Sequence, residues 1–221
     1  DTAIRVWNLK TGVCTGVLND HEQSVLHLNF NETRLVSCSK DRTIIVWRWD
    51  SSKNSYDKEH TLRGHEAAVN VVEFDERYIV SASGDRSIRI WRTDTGEPVT
   101  ELKGHDRGIA CLQYTQDYIV SGSSDTKLRV WHINRITGEE PADSASSHVR
   151  TLEGHTDLVR CVRFDIEMDR IVSGSYDNAI IVWAFMTGHQ LFKLTGHSNR
   201  VFRVQFDSYK RSEERRVGKE C

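Results

Sequence analysis

Four times along the chain a histidine, a serine and an aspartate recur, closed each time by a tryptophan: His21, Ser37, Asp41 and Trp47; His65, Ser81, Asp85 and Trp91; His105, Ser121, Asp125 and Trp131; His155, Ser173, Asp177 and Trp183. Taken singly, each set holds the groups of a nucleophilic hydrolase: a hydroxyl to attack, an imidazole to take its proton, a carboxylate to orient the imidazole. Recurrence argues against that chemistry, because a nucleophile is needed once. Serine precedes aspartate by four residues and aspartate precedes tryptophan by six in all four sets, and the histidine lies 20, 20, 20 and 22 residues before the aspartate. A hydrogen-bonded scaffold explains this spacing. Imidazole can bond a hydroxyl on one side and a carboxylate on the other, and the indole N–H, a donor only, can join them. Metal ligation fits poorly, since the histidines stand about 40 residues apart and no cysteine lies at ligand spacing. We expect these residues to be structural, with no catalytic, metal-binding or cofactor-binding group in the chain.

The elements that must position them are hairpins. In Arg77–Trp91, RYIVSASGDRSIRIW, alternating apolar residues (Tyr78, Val80) lead to Ser81, a tight polar turn carries Asp85, and a second alternating run (Ile88, Ile90) ends on Trp91. RLVSCSKDRTIIVW, YIVSGSSDTKLRVW and RIVSGSYDNAIIVW repeat the unit, and Gly-His precedes three of the four. With this period, the chain up to about residue 210 resembles the WD-repeat family, in which one repeat supplies four strands of a propeller blade. The resemblance implies an all-β fold, an incomplete WD-repeat β-propeller with four full blades and two part blades. One departure is plain: no repeat tryptophan is followed by aspartate (Trp47-Arg48, Trp91-Arg92, Trp131-His132). That dipeptide is the most variable part of the pattern.

The expected organisation is a part blade over 1–18, full blades over about 19–63, 64–103, 104–153 and 154–195, and a part blade over 196–210. In the first full blade we expect a strand over Ser24–Phe30, the hairpin Arg34–Trp47, a polar loop over 50–59 and an outer strand near Thr61. The third blade carries a long connection, 134–149, before a last strand at Arg150–Leu152. A lone strand, Arg200–Phe206, would open a further blade. Thereafter the pattern fails: 20 residues beyond His197 stands Val217 instead of an aspartate. The tail RSEERRVGKEC, 211–221, looks like the conceptual translation of a sequencing adapter, and we expect it to be non-native. Propellers of this type close with about seven blades, so the chain reads as a fragment with apolar blade faces exposed at both ends and poor solubility alone.

Composition narrows the function. The chain has 221 residues, 38% hydrophobic and 28% charged, enough for a sizeable core. Its longest apolar runs are strand-sized, which gives neither a membrane span nor a signal-peptide core. Five cysteines form no C-x-x-C pair, and three lie in expected strands, so a reduced cytoplasmic or nuclear setting fits best. Asn31-Glu32-Thr33 is formally a glycosylation acceptor, but no secretory signal accompanies it. A net charge of −2 argues against a protein built chiefly to bind nucleic acid.

If the repeated residues are scaffold, function belongs to positions that repeat in place and vary in chemistry. Aligned on Phe30, Phe74, Tyr114, Phe164 and Phe206, the inner strands place Ser24/Leu26, Ala68/Asn70, Gly108/Ala110, Leu158/Arg160 and Arg200/Phe202 six and four residues earlier. By alternation these share one side. The residue before each turn aspartate (Lys40, Gly84, Ser124, Tyr176) emerges at the same end, as do Arg42, Arg86, Thr126 and Asn178 after it, and Arg107 in its Gly-His loop. Lys40, Arg86, Arg107, Arg160 and Arg200 thus gather with Asn70, Ser124 and Tyr176, and with Leu26, Leu158 and Phe202 as apolar spots. Guanidinium binds phosphate and carboxylate in a fork, so the set suits an anionic ligand. Clustered arginine is a recurring mode of phospho-motif recognition. Acidic neighbours (Glu66, Asp106, Asp157) keep the basicity local.

Segments such as CSKDR, GHEAAVNVVEFD, YIVSASGDR, DRGIACLQY and YIVSGSSD resemble the propeller of the beta-transducin-repeat-containing F-box proteins, in the same order. Those proteins are substrate receptors of Skp–cullin–F-box ubiquitin ligases, and hold a doubly phosphorylated Asp-Ser-Gly degron over the propeller's central channel. The resemblance implies that Lys40 and Tyr176 meet the first phosphoserine and the acidic residue, with Arg160 nearby. It implies that Arg107, Gly108 and Ser124 hold the second phosphate, and that Leu26, Asn70, Ala110, Leu158, Arg200 and Phe202 line the peptide's path. The F-box would lie outside this chain, ubiquitin transfer would belong to partners, and no membrane or nucleic acid is implied. The rival is a general WD-repeat scaffold without phosphate dependence.

Overall fold

The computed structural model describes residues 1–115, 117–133 and 148–206. β1 (Ile4–Trp7) and β2 (Cys14–Leu18) form a two-stranded sheet. Four four-stranded sheets follow. The first holds β3 (Val25–Phe30), β4 (Arg34–Ser39), β5 (Ile44–Asp50) and β6 (Ser55–Leu62). The second holds β7 (Val69–Phe74), β8 (Tyr78–Ser83), β9 (Ser87–Arg92) and β10 (Pro98–Lys103). The third holds β11 (Ile109–Tyr114), β12 (Tyr118–Ser123), β13 (Leu128–His132) and β14 (His148–Leu152). The fourth holds β15 (Val159–Asp165), β16 (Arg170–Ser175), β17 (Ile180–Trp183) and β18 (Gln190–Leu194). Within each sheet, strands adjacent in sequence pair antiparallel, so every blade is a local meander. This is the all-β, unclosed propeller that the repeats imply.

Period-two alternation sends neighbouring residues to opposite faces of a blade, and the core accordingly lies between blades. Leu35, Ile45 and Trp47 pack with Ile4 of the part blade, whereas Val36 and Val46 pack forward against Val72 and Trp91. Ile79 joins that second layer, and its neighbour Val80 packs forward with Leu112 and Trp131. Val120 and Val130 share the last layer with Val162 and Trp183. Each tryptophan therefore seals its blade against the preceding one. Burying one such aliphatic side chain is worth about 1.5–3 kcal/mol, and these layers are the stabilising unit.

Two expectations need correction. The segment 50–59 is not a loop: β5 and β6 pair as far as Asp50↔Ser55, and only 51–54 turn. The cross-strand pair Trp49↔Tyr56, with ring centroids 4.9 Å apart at 65°, supplies the apolar contact that extends the hairpin. Arg200–Phe206 is also not a strand. An inner strand pairs only with the second strand of its own blade, which here would come from residues beyond the described ones. The segment is held by packing instead. Val201 donates to the Ser175 carbonyl (3.0 Å), and a Cβ on Gly174 would lie 2.6 Å from Val201 Cγ1, so only glycine permits this approach. Residues 134–147 of the long connection, and the tail 211–221, lie outside the described residues. At the two ends of the arc, Trp7, Val13 and Phe30, and Phe192 and Leu194, are exposed.

The residue after each turn aspartate sits in the left-handed region: Arg42 at φ 70°, Arg86 at 73°, Thr126 at 72° and Asn178 at 65°. Each closes a three-residue hairpin loop, as Thr126 does by donating to the Ser123 carbonyl (3.3 Å). For a β-branched residue this conformation is strained. Thr126→Gly is expected to raise unfolding stability by about 1 kcal/mol, measured by urea titration; a loss would show that the threonine side chain compensates for its backbone.

Candidate functional site

The structure brings each histidine, serine, aspartate and tryptophan set together. His Nδ1 stands 2.9, 2.8, 2.7 and 2.8 Å from Oδ2 of Asp41, Asp85, Asp125 and Asp177. His Nε2 stands 2.9, 2.9, 2.9 and 2.8 Å from Oγ of Ser37, Ser81, Ser121 and Ser173. Each tryptophan Nε1–H donates to the same serine oxygen at 2.9–3.0 Å. This assigns the imidazole tautomer. The indole N–H donates to Ser Oγ, Ser Oγ–H donates to Nε2, and Nδ1–H donates to the carboxylate. The order matches a hydrolytic triad, but all four serines are fully buried (0% exposed) and capped by indole. No substrate reaches such a hydroxyl. Among the described residues no group of three or more His, Cys, Asp or Glu could hold a metal ion.

Each aspartate also accepts backbone N–H groups. Asp41 takes them from Glu22 (3.0 Å) and Thr43 (2.8 Å), tying the loop before the inner strand to the hairpin turn. Burial opposes ionisation of Asp41, but hydrogen bonds from Thr43 and His21 outweigh it and hold the carboxyl at about 2. At Asp125 the bonds from His105 outweigh burial likewise, again giving about 2. His155 is lowered, because its burial outweighs the bond to Asp177. Glu73 is the opposite case: burial, offset in part by Arg163 and Asn29, raises it to about 7.

The signs follow by linkage. The two aspartates contribute fully above their ordinary value near pH 4, and the contribution is lost as pH falls through about 2. His155, held neutral, starts a shallower loss below about pH 6.5. The Glu73 contribution, present at low pH, is lost as pH rises through about 7. Unfolding followed by tryptophan fluorescence is expected to show greatest stability in the mildly acidic range above about pH 4.5, a decline as pH rises through about 7, and a steep fall below about pH 4. Asp125→Asn should flatten the acid limb; an unchanged limb would remove these carboxylates as its cause.

The other end of the network builds the mouth. The residue before each turn aspartate donates its N–H to the entry of the inner strand: Lys40 to Ser24 O (3.0 Å), Gly84 to Ala68 O (3.0 Å), Ser124 to Gly108 O (3.0 Å) and Tyr176 to Leu158 O (2.9 Å). Two rows of candidate residues are thus clipped side by side. Gly108 also lies against the neighbouring blade, where a Cβ would stand 3.2 Å from Gly84 Cα. The inner strands then each carry a bulge. Pairing steps from Val25 to His27, Val69 to Val71, Ile109 to Cys111 and Val159 to Cys161. Leu26, Asn70, Ala110 and Arg160 are the extra residues, and with Phe202 they line one central cavity of about 210 Å³. Bulges at a rim re-aim side chains, and here they aim one residue per blade at the centre.

Not every candidate stands free. Asn70 Nδ2 donates to the Ile109 carbonyl of the next blade (2.7 Å). Arg200 stacks over Tyr176 (4.5 Å from Cζ to the ring centroid), whose ring meets Phe202 edge-on at 5.4 Å. Arg86 opens onto a separate groove with Ala67, Gly84 and Lys103. Leu158, Gly108 and Ser124 are half-buried, whereas Lys40, Arg107 and Arg160 are exposed. Several framework cations are paired, Arg34 with Glu59, Lys58 with Asp20 and Lys127 with Glu153. Among the described residues, Lys40, Arg86, Arg107, Arg160 and Arg200 have no carboxylate partner.

The model of the WD domain, G-beta repeat family matches residues 12–48, 56–92, 96–132 and 146–184. The chain belongs to the WD40 repeat family. As a WD40 domain it is a protein-interaction module. The chain is 29% identical over 204 residues to the WD repeat-containing protein pop2 of Schizosaccharomyces pombe, covering 92% of this chain and 26% of that protein. It is 49% identical over 57 residues to pop1 of the same yeast (26% and 7% of the two chains). It is 41% identical over 59 residues to mitochondrial division protein 1 of Neurospora crassa (27% and 9%). The chain spans 26% or less of the length of these relatives. In WD40 terms the tetrads are the repeated scaffold and the bulge row is what varies. Sequence alignment missed His27, Glu73, Arg163 and Arg203, which line the same cavity. For Glu73 and Arg163 a signal is present: the residue before each inner-strand aromatic is polar in all five cases (Asn29, Glu73, Gln113, Arg163, Gln205).

Proposed function

We propose that this WD40 arc is the phosphodegron-binding part of an F-box ubiquitin-ligase receptor. It would recognise a doubly phosphorylated Asp-Ser-Gly peptide at the mouth and supply recognition only. Ubiquitin transfer belongs to a Skp–cullin core engaged through an F-box outside this chain. The observation that carries the reading is the basic set Lys40, Arg86, Arg107, Arg160 and Arg200, exposed and without a carboxylate partner among the described residues, where several framework cations have one. Exposed cations without a carboxylate contribute little to folding, whereas each arginine of the set can bind phosphate in a fork. The bulged residues below them offer a peptide the apolar contact of Leu26 and Phe202 and the half-buried Asn70 and Ala110.

The test is fluorescence anisotropy of the protein with one labelled Asp-Ser-Gly peptide, unphosphorylated and doubly phosphorylated, at two salt concentrations. The phosphorylated form alone is expected to bind, more weakly at higher salt. Equal binding of both forms would return the module to a general interaction scaffold.

A further inference from the structure

The central cavity has a second tier beneath the mouth. Arg160 and Arg163 reach it from β15, and Arg203 from the segment after β18. Among the described residues, Glu73 is the one acidic residue in its lining. That carboxyl is spoken for: it accepts a hydrogen bond from Asn29 Nδ2 (2.5 Å) and forms no ion pair among the described residues. Arg163 donates to the Val162 carbonyl at 3.4 Å, and neither Arg160 nor Arg203 has a carboxylate partner among the described residues. Apolar walls (Val71, Leu112, Val162, Phe202) surround these charges. In such a cleft the fields of like charges add and are poorly screened. His27, in the same lining, feels it: after burial and a backbone hydrogen bond, the next influences on its imidazole are Arg163, Arg203 and Arg160, all disfavouring its proton.

We propose that this tier is a second anion site, in which Arg160, Arg163 and Arg203 take a phosphate group beneath the mouth. Three guanidiniums with little compensating charge leave a net positive cavity, and a phosphate supplies oxygens for several forks at once. A volume of about 210 Å³ suits a small anion rather than a folded partner. The phosphate has two possible sources, a free polyphosphate or a phosphorylated side chain descending from a bound peptide. The site shares Arg160 with the mouth, but Arg163 and Arg203 belong to this tier alone and Lys40 and Arg107 take no part in it.

Isothermal titration with inorganic pyrophosphate at low salt tests the site, on the wild-type protein and on Arg163→Gln, Arg163→Lys, Arg203→Gln and Arg107→Glu, each checked for fold by circular dichroism. Wild type is expected to bind, each glutamine variant to weaken binding about tenfold, and Arg163→Lys to weaken it less, having charge without the fork. Arg107→Glu reports on the mouth: pyrophosphate held there would be lost with it, whereas pyrophosphate held in the tier is lost with Arg163 and Arg203. Should Arg163→Gln not fold, Arg203→Gln carries the test from an exposed position. If pyrophosphate does not bind but Arg163→Gln weakens phosphopeptide binding about tenfold, the phosphate comes from the peptide and the site stands. The proposal is overturned if pyrophosphate binds all variants alike, if Arg107→Glu alone abolishes it, or if neither probe responds to Arg163 or Arg203. Binding of pyrophosphate with no preference for phosphopeptide would sink the degron reading and leave this site intact.

Discussion

Trp91→Ala is expected to cost about 3–5 kcal/mol of stability, enough to unfold most of a marginally stable domain. The indole is 2% exposed, sits in the layer shared by the first and second full blades, and donates to Ser81 Oγ at 3.0 Å. Its removal opens a cavity between two blades and leaves a buried hydroxyl one partner short, in a network where His65 and Asp85 depend on that hydroxyl's orientation. Trp91→Phe separates the two effects. It keeps most of the volume while losing the N–H and the second ring, and should cost about 1–2 kcal/mol. Urea titration by circular dichroism reads both, and a cost for alanine no larger than for phenylalanine would contradict the packing argument.

Arg107→Glu should behave in the reverse way. Phosphopeptide affinity is expected to fall about 100-fold, some 2.7 kcal/mol, with the unfolding midpoint unchanged. The side chain is exposed, and what the fold uses of this residue is its carbonyl, which accepts from Ser123 Oγ (2.9 Å) and survives the substitution. Reversal of charge removes a fork and places a carboxylate against phosphate. Lys40→Glu should act alike, since Lys40 is held at the mouth by its backbone N–H rather than its side chain. Had Arg107→Glu and Trp91→Ala the same effect on folding, the division between scaffold and mouth would fail.

The scaffold was legible because it is repetitive. Ser173, Asp177 and Trp183 keep the offsets of Ser37, Asp41 and Trp47, so one explanation must serve four times. What escaped was local geometry without a compositional mark. Nothing in VLHLNF or VRCVRF announces a bulge: the extra residue is leucine in one blade and arginine in another, with no glycine at the step. Alternation alone puts Leu26 and Arg160 on one side of the strand without the bulge that aims them into the cavity, and it passes over Arg163 and Arg203 on the residues beyond. The hairpin of β5 and β6 was misread for the opposite cause. RWDSSKNSYD is polar enough to read as a loop, but Trp49 and Tyr56 meet across it. Strand 200–206 was inferred from pattern, whereas a strand exists only where a neighbour supplies its ladder.

The layering of the core has a mechanical corollary. Blades touch through side chains and a few backbone clips, with complete ladders running only within each sheet. Under tension applied at the two termini, the arc should yield one blade at a time. Each step would release about 40 residues, or roughly 140 Å of chain, and the extension trace would be a sawtooth with a tooth per blade. Resistance at each tooth would come from peeling one apolar seam, so a milder lesion such as Trp91→Phe would lower a single peak and leave the rest of the trace in place.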